Sequence, residues 1–278
     1  MVIIQSTSLQ GYRESNEDAE IIFENLNNKK KNKNKINIYA VFDGHGGNQV
    51  SKYLEKHYLD YFIPSNRPKP TNKKKNYQKY ICETYNHIQE KLTLECKDIA
   101  NTTGTAALAI IHYLENKKNK LYVVNLGDCR AVKCDKKNLA IPLTLDHKPN
   151  NYGETNRILK MGGKIIQEPG DDPRIEGLSL SRALGDLDTK PFVSHIPEIF
   201  RYELDNRDKF LIIACDGLWD AFENQQAVNF VLNELDKTKN LKTDHKQKNN
   251  KNLAYLLAQE AIKRGSRDNV SVILVFFK

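Results

Sequence analysis

The chain has 278 residues, a formal net charge of +8, 39% hydrophobic and 28% charged residues, which is the balance of a soluble globular protein with room for a real core. No stretch approaches the roughly 20 apolar residues of a membrane span, the N-terminus shows neither the basic nor the long apolar region of a signal peptide, and Val2 stands where myristoylation needs Gly. Cys82, Cys96, Cys129, Cys134 and Cys215 are odd in number and contain no Cys-x-x-Cys pair, which argues against a disulfide framework or structural zinc site and for a reducing compartment.

In chain order, residues 1–9 and 19–26 read as strands around a polar turn at 10–18. The Lys/Asn run 28–35 reads as a loop insertion. Residues 36–42 form a strand with a continuous apolar core, which predicts burial on both faces. Gly46-Gly47 open a helix over 48–62, residues 64–75 read as a loop, and 76–98 as a second helix. From Thr103 the period shortens, and 104–113, 120–126, 129–134 and 139–143 read as short strands joined by polar turns, which favours antiparallel pairing. A helix over 150–161 stops at Gly162-Gly163. Residues 164–200, rich in Gly, Pro and Asp, read as an irregular functional flap. A strand at 209–215, a helix at 223–235, a polar loop insertion at 236–251, a helix at 252–263 and a strand at 270–277 complete the chain. This order predicts an α+β fold of one domain over 1–278, with two antiparallel sheets packed face to face and helices outside.

The net charge is unevenly placed. Sixteen lysines against two aspartates fall in 28–35, 69–79 and 236–251, a net +14 that leaves −6 for the rest of the chain. Such runs are usually solvated loops, and these lack the interleaved aromatics that stack bases, so no nucleic-acid partner is expected.

Inside that acidic remainder, four apolar runs each carry an aspartate at one end. Residues 38–42 run into Asp43-Gly44-His45-Gly46-Gly47, 121–126 into Gly127-Asp128, and 210–215 into Asp216-Gly217, while Asp268-Asn269 opens 270–277. Carboxylates beside buried strands are costly unless neutralised, and hard divalent cations are the partners that oxygen ligands suit. Two carboxylates meeting at one sheet edge bridge two cations about 3.5–4 Å apart, an arrangement that acidifies a bridging water. Glycine at 44 leaves its carbonyl accessible as a further hard ligand. Arg13, in the first turn, has the fork that suits phosphate oxygens, and His45 beside Asp43 is placed to act as a general acid. Other phosphate chemistries fail on absent motifs. The residues six after the cysteines are Ile88, Thr102, Asp135, Ala140 and Ala221, so no Cys-x5-Arg exists, and there is no Gly-x4-Gly-Lys-Ser/Thr loop, His-Glu-x-x-His or Gly-x-Ser-x-Gly. Asp186-Leu187-Asp188-Thr189 lies in the flap and reads as structural.

The motifs, taken together and in order, resemble the metal-dependent serine/threonine protein phosphatases of the PP2C (PPM) family. They are Arg13 with Glu17-Asp18; Asp43-Gly44-His45-Gly46-Gly47; Thr103-Gly104-Thr105-Ala106; Asn125-Leu126-Gly127-Asp128-Cys129-Arg130; Asp146-His147-Lys148-Pro149 with Glu154 and Arg157; the segment 177–186; Asp216-Gly217-Leu218-Trp219-Asp220; and Asp268-Asn269. The resemblance implies a PP2C-like central antiparallel β-sandwich flanked by helices, with a flap subdomain at about 164–200. It implies two Mg2+ or Mn2+ ions per site. Asp43 would bridge them, the Gly44 carbonyl would bind one, Asp216 and Asp268 would complete the first, and Glu17 and Asp18 would hold the waters of the second. Asp128, Asp216 and Asp220 would form a third, weaker site. Arg13 would grip the substrate phosphate, Thr105 would lie near the metal waters, and His45 would protonate the leaving oxygen. Asp146-His147-Lys148-Pro149 and Trp219 read as mainly structural.

The expected activity is hydrolysis of phosphoserine and phosphothreonine in protein substrates by a bridging hydroxide, without a phosphoenzyme. The expected setting is a monomer in the cytoplasm, with the nucleus as the alternative. Two other readings are a non-catalytic adaptor, which intact ligand positions oppose, and a nucleic-acid binder using the lysine runs, which salt-dependent duplex binding would reveal.

Overall fold

The protein is described from a computed structural model over residues 2–24, 36–62, 77–116, 118–241 and 251–277. Two antiparallel sheets face one another. The first contains β1 (Val2–Leu9), β6 (Arg130–Cys134), β7 (Ala140–Pro142), β10 (Phe210–Ala214) and β11 (Val270–Phe277), in the order β1-β11-β10-β6-β7. The second contains β2 (Ala19–Phe23), β3 (Ile36–His45), β4 (Gly104–Glu115), β5 (Lys118–Leu126) and β9 (Glu198–Glu203), in the order β2-β3-β4-β5-β9, with the short β8 (Leu184–Gly185) against β4. Helices α1 (Gln49–Phe62), α2 (Tyr77–Glu95) and α3 (Lys97–Ala100) cover the second sheet, and α6 (Asn224–Leu241) and α7 (Leu253–Lys263) the first. Helix α4 (Tyr152–Lys160) precedes the flap, and α5 (Asp216–Trp219) follows β10 directly.

The unbroken apolar strands are explained by two buried faces. Along β3, Tyr39 and Val41 point between the sheets, while Ile38, Ala40 and Phe42 pack under α1 and α2. The same alternation divides Leu211 and Ile213 from Phe210, Ile212 and Ala214 on β10, and Ile273 and Val275 from Val272 and Leu274 on β11. Three apolar layers result, in an α-β-β-α stack. No helix among the described residues is long and apolar enough to cross a membrane.

Several expected boundaries shift. Strand β3 continues through Asp43 to His45, so the first acidic motif lies in the ladder, not beyond the strand exit. Strand β9 begins at Glu198, at the end of the segment expected to be irregular. It is an edge strand with no fully buried side chain, so its sequence carries little apolar signal. Helix α6 runs to Leu241, into the segment read as a loop from 236, and the expected second helix divides into α2 and α3. Short α5 and β8 carried no periodic signal long enough to detect. The insertion 28–35 and the loop 64–75 lie outside the described residues.

The flap hangs from α4 by a buried ion cluster. Glu154 is 5% exposed, and its carboxylate accepts from Arg182 at 2.5 Å, from Arg157 at 2.8 Å and from Ser181 at 2.8 Å. Burial opposes its ionisation, but the hydrogen bonds and charges of Arg182 and Arg157 win and hold its pKa down at about 2, against a usual 4.5. A depressed folded-state pKa contributes stability above the unfolded value, and that contribution disappears as pH falls from 4.5 toward 2. Glu154→Gln should therefore cost roughly 3 kcal/mol at neutral pH, because two arginines lose a buried partner. In thermal melts the gap between wild type and variant should narrow below about pH 4.5.

Candidate active site

Antiparallel pairing brings the acids to one end of the sandwich. Ala214 at the end of β10 pairs with Val272 near the start of β11 and with Arg130 at the start of β6. Asp216, Asp268 and Asp128 each lie two residues beyond those strand ends, so they converge at one edge of the first sheet. Asp43 arrives from the facing sheet, opposite Ala106. Strand β1 ends at Leu9 opposite Val270, which delivers the 10–18 turn, with Arg13, Glu17 and Asp18, to the same edge.

That turn is held by Asn269, whose side chain accepts from the Glu17 backbone N–H at 2.8 Å and donates to the carbonyls of Gln10 at 2.8 Å and Ser15 at 2.9 Å. Glu17 also ties the turn to the second sheet. Its carbonyl accepts from the Ser51 hydroxyl at 2.5 Å and its carboxylate from Gly47 N–H at 3.2 Å. Gly44 is required at this join, since a Cβ there would collide with the Glu17 carbonyl.

The result is a cleft of about 460 Å3, lined by Arg13, Glu17, Asp43, Gly44, His45, Asp128, Asp216 and Asp268, with Arg174 and 178–180 of the flap as one wall. Two groups of potential ligand atoms lie within 4.8 Å of one another: those of Asp43, Asp128 and Asp216, and those of Asp18, Asp43 and Cys215. Asp43 belongs to both. Desolvation, then the charges of Asp216, Asp18 and Asp128, push the Asp43 pKa well above the usual carboxylate range. Burial and Asp128 do the same for Asp216, with Lys148 opposing. Asp18 is 2% exposed, and neither carboxylate oxygen has a partner of good hydrogen-bond geometry. Burial raises its pKa to about 6, although the nearby Ser271 and Cys215 side chains oppose the shift.

This crowding fits oxygen-liganded divalent cations. Orphaned buried carboxylate oxygens are rare without an ion or water, and a bound cation relieves the mutual repulsion that otherwise favours protonation of acids this close. Cys215 suits such ions less well, since thiolate is a soft ligand and hard divalent cations take oxygen. Burial lifts its thiol pKa far above the usual value, and the sulfur donates toward Asn269 O at 3.4 Å and accepts from Ser271 N at 3.1 Å.

The remaining expected residues separate. Asp220 follows α5 on the exposed side, its pKa raised by burial and then by Asp128, against Lys148. Arg13 is exposed at the cleft mouth and pairs with Asp268 at 2.6 Å. His45 Nε2 meets the Asp186 carboxylate at 2.8 Å. Burial works against a charged His45 ring, but Asp186 outweighs it and the pKa is raised. Thr105, expected near the metal waters, pairs with Gly44 across the ladder. It is fully buried on β4, its hydroxyl donates to Ala106 O at 2.8 Å, and it does not line the cleft, so it supports the strand behind Gly44.

Two residues of the site escaped sequence reasoning. Lys148 hydrogen-bonds Asp128 and lies 4.0 Å from Asp216, so the segment read as structural also carries a cation into the acid cluster. Burial alone would depress the Lys148 pKa, but Asp128 and Asp216 raise it. Its neighbours do behave structurally. Asp146 receives both Nε and Nη2 of Arg130, at 3.0 and 2.7 Å, and His147 Nδ1 accepts from Gly127 N–H at 3.0 Å. Trp219 Nε1 donates to the carbonyls of Arg130 and Ala214, both at 3.1 Å, locking β6 to β10 beside the acids. The second missed residue is Asp186, whose flap position gave no hint that it returns to His45.

The family described as Protein phosphatase 2C matches residues 3–270. The Paramecium tetraurelia protein "Probable protein phosphatase 2C 3" is 31% identical over 302 residues, covering 100% of this chain and 93% of its own. The Bos taurus integrin-linked kinase-associated serine/threonine phosphatase 2C is 32% identical over 289 residues, covering 96% of this chain and 74% of its own. Among solved structures, a C. elegans sex determining protein superposes with a TM-score of 0.82 at 25% identity, over 100% of this chain and 65% of that one.

Proposed function

The chain belongs to the protein phosphatase 2C family and is a serine/threonine phosphatase, and from that membership we propose that it hydrolyses phosphoserine and phosphothreonine in proteins by direct attack of water on phosphorus, assisted by two Mg2+ or Mn2+ ions. The observation that carries the mechanism is the sharing of Asp43 between two groups of ligand atoms, one of which contains the unpartnered Asp18 carboxylate. Asp43, the Gly44 carbonyl, Asp216 and Asp268 would hold one ion, with Asp43, Glu17 and Asp18 serving the other. When bound, the pair would acidify the attacking water and offset phosphoryl charge.

The side chains supply the rest. Arg13 presents its guanidinium at the cleft mouth, where Asp268 restrains it for phosphate oxygens. His45 lines the cleft and holds a proton for the departing serine or threonine oxygen. No cysteine lines the cleft among the described residues, and Cys129 and Cys215 are buried thiols with pKa raised by burial, which supports direct hydrolysis over a phosphocysteine. Asp128, Asp216 and Asp220 would serve a third, weaker ion, with Lys148 as the resident counter-charge on Asp128.

The test is phosphate release from a phosphothreonine peptide in Mn2+, with and without chelator. Activity should vanish on chelation and return with Mn2+; activity that ignores the chelator contradicts the mechanism. Arg13→Ala should raise KM about 10–100-fold and change kcat less, as expected for loss of a charged hydrogen bond of about 1.5–3 kcal/mol made to ground and transition states alike.

A further inference from the structure

Strands β3, β4 and β8 align three residues in one row: His45 pairs with Gly104, and Gly104 pairs with Gly185. Asp186 follows Gly185, and its carboxylate meets His45 Nε2 at 2.8 Å across the glycine between them. A Cβ on Gly104 would run into that carboxylate, so the contact exists only because the middle residue has no side chain.

The flap end is also fixed in place. Gln89 of α2, 6% exposed, donates to Gly185 O and accepts from Gly185 N–H, both at 3.0 Å, as an additional strand would. Asp186 N–H donates to Thr103 O at 3.2 Å, and Asp186 adopts a left-handed backbone, φ 47°, uncommon for a residue with a side chain. Its side chain is 2% exposed. A buried carboxylate in a sparsely populated conformation, clamped from two elements and given space by a third, is organised for His45, its one side-chain hydrogen-bond partner among the described residues.

We propose that Asp186 is a positioning residue for His45: held across Gly104 by the grip of Gln89 on Gly185, its carboxylate accepts the Nε2–H and leaves Nδ1 to face the leaving oxygen. The hydrogen bond made by one ring nitrogen of a histidine sets the ring's orientation and which nitrogen is left to deliver a proton. In the step, water oxygen bonds to phosphorus, its protons staying on the phosphate product until one passes to solvent, the bond from phosphorus to the serine or threonine oxygen breaks with its electron pair on that oxygen, and the Nδ1 proton joins it. The ring then takes a proton from solvent. This rests on the acid role given to His45 above, and adds Asp186 and Gln89 as residues acting through it.

The experiment compares two substrates in Mn2+, a phosphothreonine peptide and p-nitrophenyl phosphate. The alkoxide needs a proton to depart and the nitrophenolate does not, so a fault in the acid appears as a changed ratio of rates. His45→Gln and Asp186→Asn should each lower the peptide-to-aryl ratio about 30-fold or more, within the range for general acid catalysis. Gln89→Leu should lower it by less, in the same direction. Mn2+ affinity of Asp186→Asn, by calorimetry, should match wild type, and its remaining aryl turnover reports an intact fold. A changed ratio in His45→Gln with none in Asp186→Asn overturns the positioning role alone. No change in His45→Gln overturns the acid role and the inference with it. Equal loss on both substrates in Asp186→Asn, or loss of its Mn2+ affinity, assigns Asp186 to the fold or the metal centre and also overturns the inference.

Discussion

Asp216→Ala should abolish turnover, with kcat/KM falling at least about 1,000-fold, equivalent to roughly 4 kcal/mol of transition-state stabilisation. Asp216 leaves β10 at the start of α5, and its carboxylate atom lies within 4.8 Å of those of Asp43 and Asp128. Removing it deletes a ligand from the proposed first ion and from the weaker third. The local fold should survive, because Trp219, which ties the same turn to β6 and β10, is untouched. Two measurements separate ligand loss from unfolding. Calorimetry should show Mn2+ binding weakened. Thermal melts in chelator should show the variant at least as stable as wild type, since one mutually repelling carboxylate is gone, while the rise in melting temperature that Mn2+ gives wild type should shrink. Wild-type turnover in Asp216→Ala would make the ligand assignment wrong.

The acids were legible in the sequence because they stand at the ends of unmistakable strands. The runs at 38–42 and 210–215 have no polar interruption and 270–277 has only Ser271, since each strand packs a core layer on both faces. Antiparallel order then forces their termini together. What stayed hidden depends on long-range return. Asp186 sits 141 residues after His45, in a segment with no periodicity, and only the β3-β4-β8 row makes them neighbours. Lys148 lies 20 residues after Asp128, and nothing in its own segment says its ammonium group turns inward. Thr105 stands in a recognisable motif, but nothing in that motif says that its side chain is fully buried on β4. The basic segments are a charge pattern, and charge pattern alone carries no register.

Deleting residues 268–278 should leave a chain that does not fold, an effect larger in stability than any point change above. Strand β11 lies inside its sheet, paired with β1 along Val2–Leu9 and with β10 along Phe210–Ala214. Val270, Val272, Ile273, Leu274 and Val275 are fully buried, and they contribute to the inter-sheet core and to the layer under α6 and α7. At about 1.5–3 kcal/mol for each buried aliphatic side chain, their loss amounts to roughly 7–15 kcal/mol. A typical domain has about 5–15 kcal/mol in total. Both ladders vanish with the strand, which strips β1 of its partner and opens one edge of β10, a template for aggregation. The truncated chain should be insoluble, or lack a cooperative melt. Asp268→Ala serves as the control, because it removes the carboxylate and keeps the strand: it should melt cooperatively and lose activity. A soluble, active truncation would mean that β11 does not complete the core, and that Asp268 is dispensable to the metal site.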